Sequence, residues 1–297
     1  MAAYTWGVKE LDALSGGIEK CLWMFFGKAG SGKTTLSAYQ PIVRIAEFFL
    51  ETVGEIPPKG RFVVMDGDGG FALDRLQQIC EARGIPFGEV KSRLVQVEFT
   101  TFQEQHAFIC GPSRRKEAEA AEEAGEEKLL PPDVRETLKE VSAKGLEGWL
   151  EERGLRPLMI TFDPMTAIYR GILLRTPLDS RAVAMQPYSG KLDLQLATLR
   201  RLGVVYSCPV FVTTWPSSPM GKAMSAAAEK KGKELPPPEQ PFLGGRSFSF
   251  FPKQIWEIRM PEEGQPVRVV SVWKSRTGPT GRTARFKLSD RGIEGVG

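Results

Sequence analysis

Five apolar residues, Leu22-Trp23-Met24-Phe25-Phe26, run directly into Gly27-Lys28-Ala29-Gly30-Ser31-Gly32-Lys33-Thr34. An apolar run that stops at glycines reads as a buried strand. Lys33-Thr34 then opens a helix, with Thr35 in its first turn. Glycines 27, 30 and 32 let the backbone curl tightly, and the unpaired N–H groups and positive dipole end of a helix start favour an anion there. The G-x-x-x-x-G-K-[ST] spacing is that of a loop for a nucleoside triphosphate. Backbone N–H groups cradle the phosphates, Lys33 sets a charge against the β- and γ-phosphates, and the Thr34 hydroxyl ligates Mg²⁺. A chance glycine-rich turn is the bland alternative, and the strand before and the helix after count against it.

The rest of the chain alternates in the same manner. Strands are expected at residues 61–66, 93–97, 158–163 and 210–213, with helical spacing at 74–83, through His106 and at 191–202. Pro41 predicts a kink or two abutting helices after the glycine loop. Strands alternating with helices make a parallel sheet covered on both faces. Beyond about residue 250 the helices stop, and residues 255–258, 267–273 and 284–288 read as antiparallel strands finishing the sheet edge. The expected fold class is therefore α/β, a mostly parallel sheet in a single domain over 1–297.

Composition limits the functions available. With 297 residues and 41% hydrophobic content the chain can bury a large core, and 26% charged residues suit a soluble protein. No apolar run reaches the roughly 20 residues that span a bilayer, and no basic-then-apolar leader opens the chain. A cytoplasmic protein without a membrane partner is expected. Four scattered cysteines and one histidine, His106, offer no zinc ligand set. The net charge of +4 permits a nucleic-acid partner without arguing for one.

Two stretches break the rhythm. Residues 112–145 are rich in Glu, Lys, Arg and Ala and read as a charged helical insertion, partly mobile and without its own core. Residues 215–245 hold Ser, Gly, Ala, Lys and Pro with almost no large apolar side chain, which reads as a long mobile loop of the kind that is usually functional or disordered.

Asp163 ends the run Leu158-Met159-Ile160-Thr161-Phe162. It is expected at the carboxyl edge of a buried strand beside the phosphate loop, where a carboxylate holds Mg²⁺ through water. A strand that merely happens to end in Asp is the alternative.

The opening Trp6-Gly7-Val8-Lys9-Glu10-Leu11-Asp12-Ala13-Leu14, then Gly16-Gly17-Ile18-Glu19, resembles the start of the RecA-type recombinase core. So do Phe162-Asp163-Pro164-Met165-Thr166-Ala167-Ile168-Tyr169-Arg170 and the ending Phe286-Lys287-Leu288-Ser289-Asp290-Arg291-Gly292-Ile293. The resemblance is nearest to the archaeal RadA and RadB group, with KaiC-like ATPases as near relatives. It covers nearly the whole chain outside the two odd stretches. The chain opens at the ATPase core without the helix-hairpin-helix domain of RadA, so a RadB-like paralogue layout is expected.

The resemblance implies further roles. Asp68 falls where the family carries the glutamate that orients the attacking water. Aspartate is one methylene shorter, which implies slow ATP hydrolysis; the alternative is that Asp66 and Asp68 only cap a loop. Arg75 aligns with an arginine that stacks on adenine, or is an ordinary solvated arginine. Trp215 stands where recombinases carry a glutamine that senses the γ-phosphate, and it cannot make that amide contact. The loop after it occupies the place of a DNA-binding loop, in which Lys222, Lys230, Lys231 and Lys233, with Arg246 after the Gly244-Gly245 hinge, would neutralise the phosphates of single-stranded DNA. A solvated loop without a ligand is equally compatible. Lys274 and Arg276, two apart on a strand, are expected on one face, where such a pair reaches the γ-phosphate of a neighbouring subunit. An exposed basic strand end is the bland alternative.

These features imply an ATP- and Mg²⁺-dependent paralogue acting in DNA repair or recombination, with single-stranded DNA, other recombination proteins and further copies of itself as partners. A KaiC-like oligomeric regulator acting on proteins, and a module in which ATP is only structural, are the alternatives.

Overall fold

The computed structural model describes residues 4–112, 132–217 and 241–296. Its strands are β1 (Leu22–Phe26), β2 (Gly60–Asp66), β3 (Leu94–Glu98), β4 (Arg156–Asp163), β5 (Val210–Thr214), β6 (Gln254–Arg259), β7 (Val267–Lys274), β8 (Thr283–Ser289) and β9 (Gly292–Gly295). Its α-helices are α1 (Lys9–Ser15), α2 (Gln40–Thr52), α3 (Leu73–Arg83), α4 (Phe87–Ser92), α5 (Phe102–Cys110), α6 (Pro132–Ser142), α7 (Gly145–Glu152), α8 (Ala167–Arg175), α9 (Arg181–Ala184), α10 (Gln186–Val205) and α11 (Arg246–Phe250).

Among the described residues the strands form one nine-stranded sheet in the order β3-β2-β4-β5-β1-β6-β7-β8-β9. β1 lies between β5 and β6 and is parallel to both. The expectation that residues 255–258 are antiparallel is therefore corrected. β6 is the last parallel strand, and the antiparallel edge begins with β7. The connection from β5 returns to the amino end of the sheet before β6 begins, whereas β6 to β7 is a reversal.

Every residue of β1 is buried, with Trp23 and Phe25 in the cluster on one face and Leu22, Met24 and Phe26 in the cluster on the other. That two-sided burial is why the run shows no polar alternation. Trp6 anchors the first cluster. Its ring lies 5.4 Å from Trp23, 5.7 Å from Trp256 and 6.1 Å from Phe211, and its Nε1 donates to Ser15 Oγ at 3.2 Å. The Trp6 backbone N–H donates to Asp12 Oδ1 at 2.7 Å. The chain's opening motif is thus a packing device.

After the glycine loop the helix begins at Lys33, passes through a π-helical turn over Thr35–Tyr39, and continues as α2 with Pro41 in its first turn. The break expected at Pro41 is this junction. A π turn here shifts the helix face by one residue, which turns the buried Gln40 inward. Gln40 Nε2 donates to Trp6 O at 2.6 Å, and its Oε1 accepts from the Ile293 N–H at 3.2 Å, joining both ends of the chain to α2.

The expectation of a charged, coreless insertion over 112–145 is corrected for its second half. In α6, Leu138 and Val141 are buried with α7 residues Leu146, Trp149 and Leu150 in the second core cluster. No helix among the described residues is long and apolar enough to cross a membrane.

Because Trp6 fills a space walled by four other aromatic rings, Trp6→Ala is expected to lower unfolding free energy by about 3–5 kcal/mol, measured by urea denaturation.

Candidate nucleotide site

The Gly27–Thr34 loop leaves the carboxyl end of β1 and turns into the following helix. At Gly27 a Cβ would stand 2.3 Å from the Ile258 carbonyl oxygen, so only glycine lets the loop leave the sheet this close to β6. Gly30 and Gly32 take left-handed backbone with φ of 72° and 93°. Ser31 is buried with its hydroxyl unpartnered among the described residues.

The Lys33 side chain is buried at 7% exposure, and its Nζ donates to Gly27 O and Lys28 O at 3.0 Å each. Burial lowers its pKa, while the Asp163 and Asp68 carboxylates hold it up. Asp163 ends β4 and is buried at 7% exposure. Burial raises its pKa against the opposing hydroxyls of Thr213 and Thr34 and the Lys33 ammonium. Thr213, at the end of β5, donates a short hydrogen bond to Asp163 Oδ1.

Asp66 ends β2 opposite Asp163 in register. Its carboxylate accepts from the backbone N–H groups of Asp68, Gly69, Gly70 and Phe71 at 3.2, 2.8, 3.1 and 2.9 Å. Asp66 is therefore the loop cap. Asp68 projects from the same turn with its side chain exposed, and its carboxylate accepts from the Gly70 backbone. Partial desolvation against the site walls, then the Asp163 and Asp66 carboxylates, push Asp68 up to about 6. The turn sits this near β4 because a Cβ on Gly67 would meet the Pro164 carbonyl oxygen at 2.2 Å.

Trp215 follows β5, and its half-buried indole lies over the loop lysine, with Lys33 Nζ 4.7 Å from the ring centroid. The Arg170 guanidinium of α8 lies 5.0 Å from the same ring. The chain on either side of residues 218–240 is clasped together. Thr214 Oγ1 donates to Leu243 O, the Leu243 N–H to Trp215 O and the Ser217 N–H to Pro241 O, at 2.7, 2.9 and 2.8 Å. Arg75 does not stand free. Its guanidinium donates to Ser289 O and lies 3.6 Å from Asp290, tying α3 to the turn before β9.

Lys274 and Arg276 lie at the other end of the sheet. Ile255, at the amino end of β6, pairs with Lys274, so both cations are beyond reach of their own phosphate loop. The same-face expectation is corrected, because β7 ends at Lys274 and Arg276 sits in the bend that follows. Lys274 Nζ donates to the carbonyls of Ser249 and Phe250, at 2.8 and 3.1 Å, closing the end of α11. Arg246 is exposed at the start of α11. Lys222, Lys230, Lys231 and Lys233 lie outside the described residues.

The donor set fits a triphosphate with its magnesium. A glycine-shaped loop, a buried ammonium and a helix start meet a buried carboxylate and a threonine hydroxyl. Among the described residues no group of three or more His, Cys, Asp or Glu side chains forms a metal cage.

No protein-family model matches the chain. Over 282 residues it is 24% identical to the DNA repair and recombination protein RadB of Methanosphaera stadtmanae, covering 94% of this chain and 90% of that one. The protein of the same name from Thermococcus kodakarensis is 24% identical over 293 residues, covering 98% of each. The chain is thus similar to these two proteins over nearly its whole length. The crystal structure of the RadB recombinase superposes with a TM-score of 0.60 at 22% identity, over 99% of this chain and 100% of that one, so the fold is RecA-type.

Sequence reasoning missed Arg268. It starts β7, is buried, and donates from a guanidinium NH₂ to Gly30 O at 3.0 Å, while its Nε is unpartnered among the described residues. Only the reversal between β6 and β7 brings it there, and no local pattern marks it.

The folded-state pKa of Asp68, about 6, lies above its ordinary 3.8, so folding disfavours its charged form. Stability is retained at pH below the ordinary value and lost as pH rises through about 6. Asp68→Asn should therefore match the parent near pH 3.5 and gain relative stability toward about pH 7, by less than about 1 kcal/mol for so open a side chain. Urea midpoints across that range measure it.

Proposed function

We propose that the chain is an ATP-binding, slowly hydrolysing RecA-type paralogue that acts in DNA repair or recombination on single-stranded DNA. The observation that carries this reading is the row of Asp66, Asp163, Thr213 and the Gly27–Thr34 loop along the carboxyl ends of β2, β4, β5 and β1. It occurs in a chain whose full-length relatives bear the name DNA repair and recombination protein.

Each residue then has a role. The N–H groups of Gly27, Lys28, Ala29, Gly30, Ser31, Gly32 and Lys33 surround the phosphates, with Thr34 and Thr35 at the helix start. Thr34 and Asp163 hold Mg²⁺, which when bound would neutralise charge developing on the transferred phosphoryl group. Asp68 orients water, and its short side chain favours slow turnover. Arg75 stacks on the adenine base. Arg246, with Lys222, Lys230, Lys231 and Lys233, contacts DNA phosphates. Lys274 and Arg276 act on the nucleotide of a neighbouring copy, which places other recombination proteins and a homo-oligomer among the partners.

Fluorescence anisotropy with a single-stranded oligonucleotide tests the DNA reading. Neutralising the four lysines together should weaken binding and flatten its dependence on log salt by roughly 0.7 per lost contact. Lys33→Ala should abolish any stimulation by ATP-Mg²⁺. No binding by the parent at low salt would overturn the DNA assignment.

The position of Lys274 and Arg276 gives a further expectation. Mixing Lys33→Ala chains with chains carrying Lys274→Ala and Arg276→Ala should restore ATP turnover above either alone, because one interface then joins an intact loop to intact cations. Turnover that neither recovers on mixing nor varies with protein concentration would remove the trans role.

A further inference from the structure

Two of the three donors of the Lys33 ammonium are taken by Gly27 O and Lys28 O, and the Trp215 indole covers the same ammonium at 4.7 Å. The exposed Arg170 guanidinium lies 5.0 Å from the same ring, so two cations share one indole. This is a specific electrostatic contact, because the face of an indole carries partial negative charge. It involves the lysine that must face a triphosphate, so the inference rests on the nucleotide reading above.

We propose that Trp215, held by Arg170, is a positioning residue that competes with nucleotide phosphate for Lys33. A phosphate oxygen offers Lys33 a charge-assisted hydrogen bond, stronger than contact with a neutral ring in a half-buried setting. Bound triphosphate therefore draws the ammonium off the indole. The ring is not free to move alone. Trp215 O accepts from the Leu243 N–H, the preceding Thr214 hydroxyl donates to Leu243 O, and Pro216 bridges to Phe242. Release of the indole loosens this clasp. The nucleotide state at Lys33 is thereby read by the backbone at residues 214–217 and 241–243. No amide side chain at position 215 is required. The ligand that drives the exchange is a nucleoside polyphosphate carrying negative charge at Lys33.

A competition makes a prediction that a merely structural role does not. Removing the indole should tighten nucleotide binding, whereas damage to the site would weaken it. In titrations with a fluorescently labelled ATP and Mg²⁺, Trp215→Leu should bind roughly two- to ten-fold more tightly than the parent, the range expected for one cation–π contact. Trp215→Phe keeps a weaker ring and should fall between the two. Hydrogen exchange at the Leu243 amide should rise on nucleotide addition in the parent and show no nucleotide dependence in Trp215→Leu. If Trp215→Leu fails to fold, as judged by circular dichroism, the Phe variant decides alone. Equal or weaker binding by the Phe variant than by the parent overturns the competition. A parent that binds labelled ATP without any change at Leu243 also overturns it, while leaving the nucleotide reading standing. A parent that does not bind at all overturns both.

Discussion

A charge that must be buried organises this site. The Lys33 ammonium lies at 7% exposure, where an unpaired cation would be costly. Its partners come from separate places in the chain. Two carbonyls belong to its own loop, the Asp163 and Asp68 carboxylates stand at the ends of β4 and β2, and the indole follows β5. Each of these elements is held in place by the sheet, so the lysine position is as firm as the strand order. Burial leaves Asp163 with a raised pKa despite two hydroxyls and a cation around it.

The approach of these strand ends depends on two glycines more than on any polar residue. Gly27 lies where a Cβ would strike the Ile258 carbonyl, and Gly67 where one would strike the Pro164 carbonyl. Both collisions are with backbone, which cannot swing away as a side chain can. With side chains there, the phosphate loop would lift from β6 and the Asp66–Gly70 turn from β4. Behind this crevice the two-faced core does the complementary work. Trp6, Trp23, Phe25, Phe211 and Trp256 fill one side of the sheet, and the parallel pairing of β2, β4, β5 and β1 brings their carboxyl ends together.

Much of this was legible in order along the chain. The apolar run before Gly27, the acid after Phe162 and the alternation of strands with helices are local signals, and each rests on its neighbours in sequence. The helix break at Pro41 was likewise local, because proline removes a donor wherever it stands. Parallel pairing of β6 was not legible. Residues 255–258 alternate no differently in a parallel or an antiparallel pair, and only the route from β5 sets the direction. The division of labour between Asp66 and Asp68 was similarly hidden, since either could have capped the turn until the four N–H groups were seen to converge on Asp66.

The sequence by itself determined the phosphate loop, the carboxylate that faces it and the α/β class, because spacing along a chain dictates which groups a single turn or strand can present. Tertiary structure alone decided which distant groups meet there. Arg268 reaches Gly30 only through the β6–β7 reversal, Trp215 covers Lys33 because β5 lies beside β1, and Lys274 closes α11 at the far end of the sheet. The physical reason is that cation–π and ion–carbonyl contacts depend on distance in space, and nothing in a neighbouring residue encodes it.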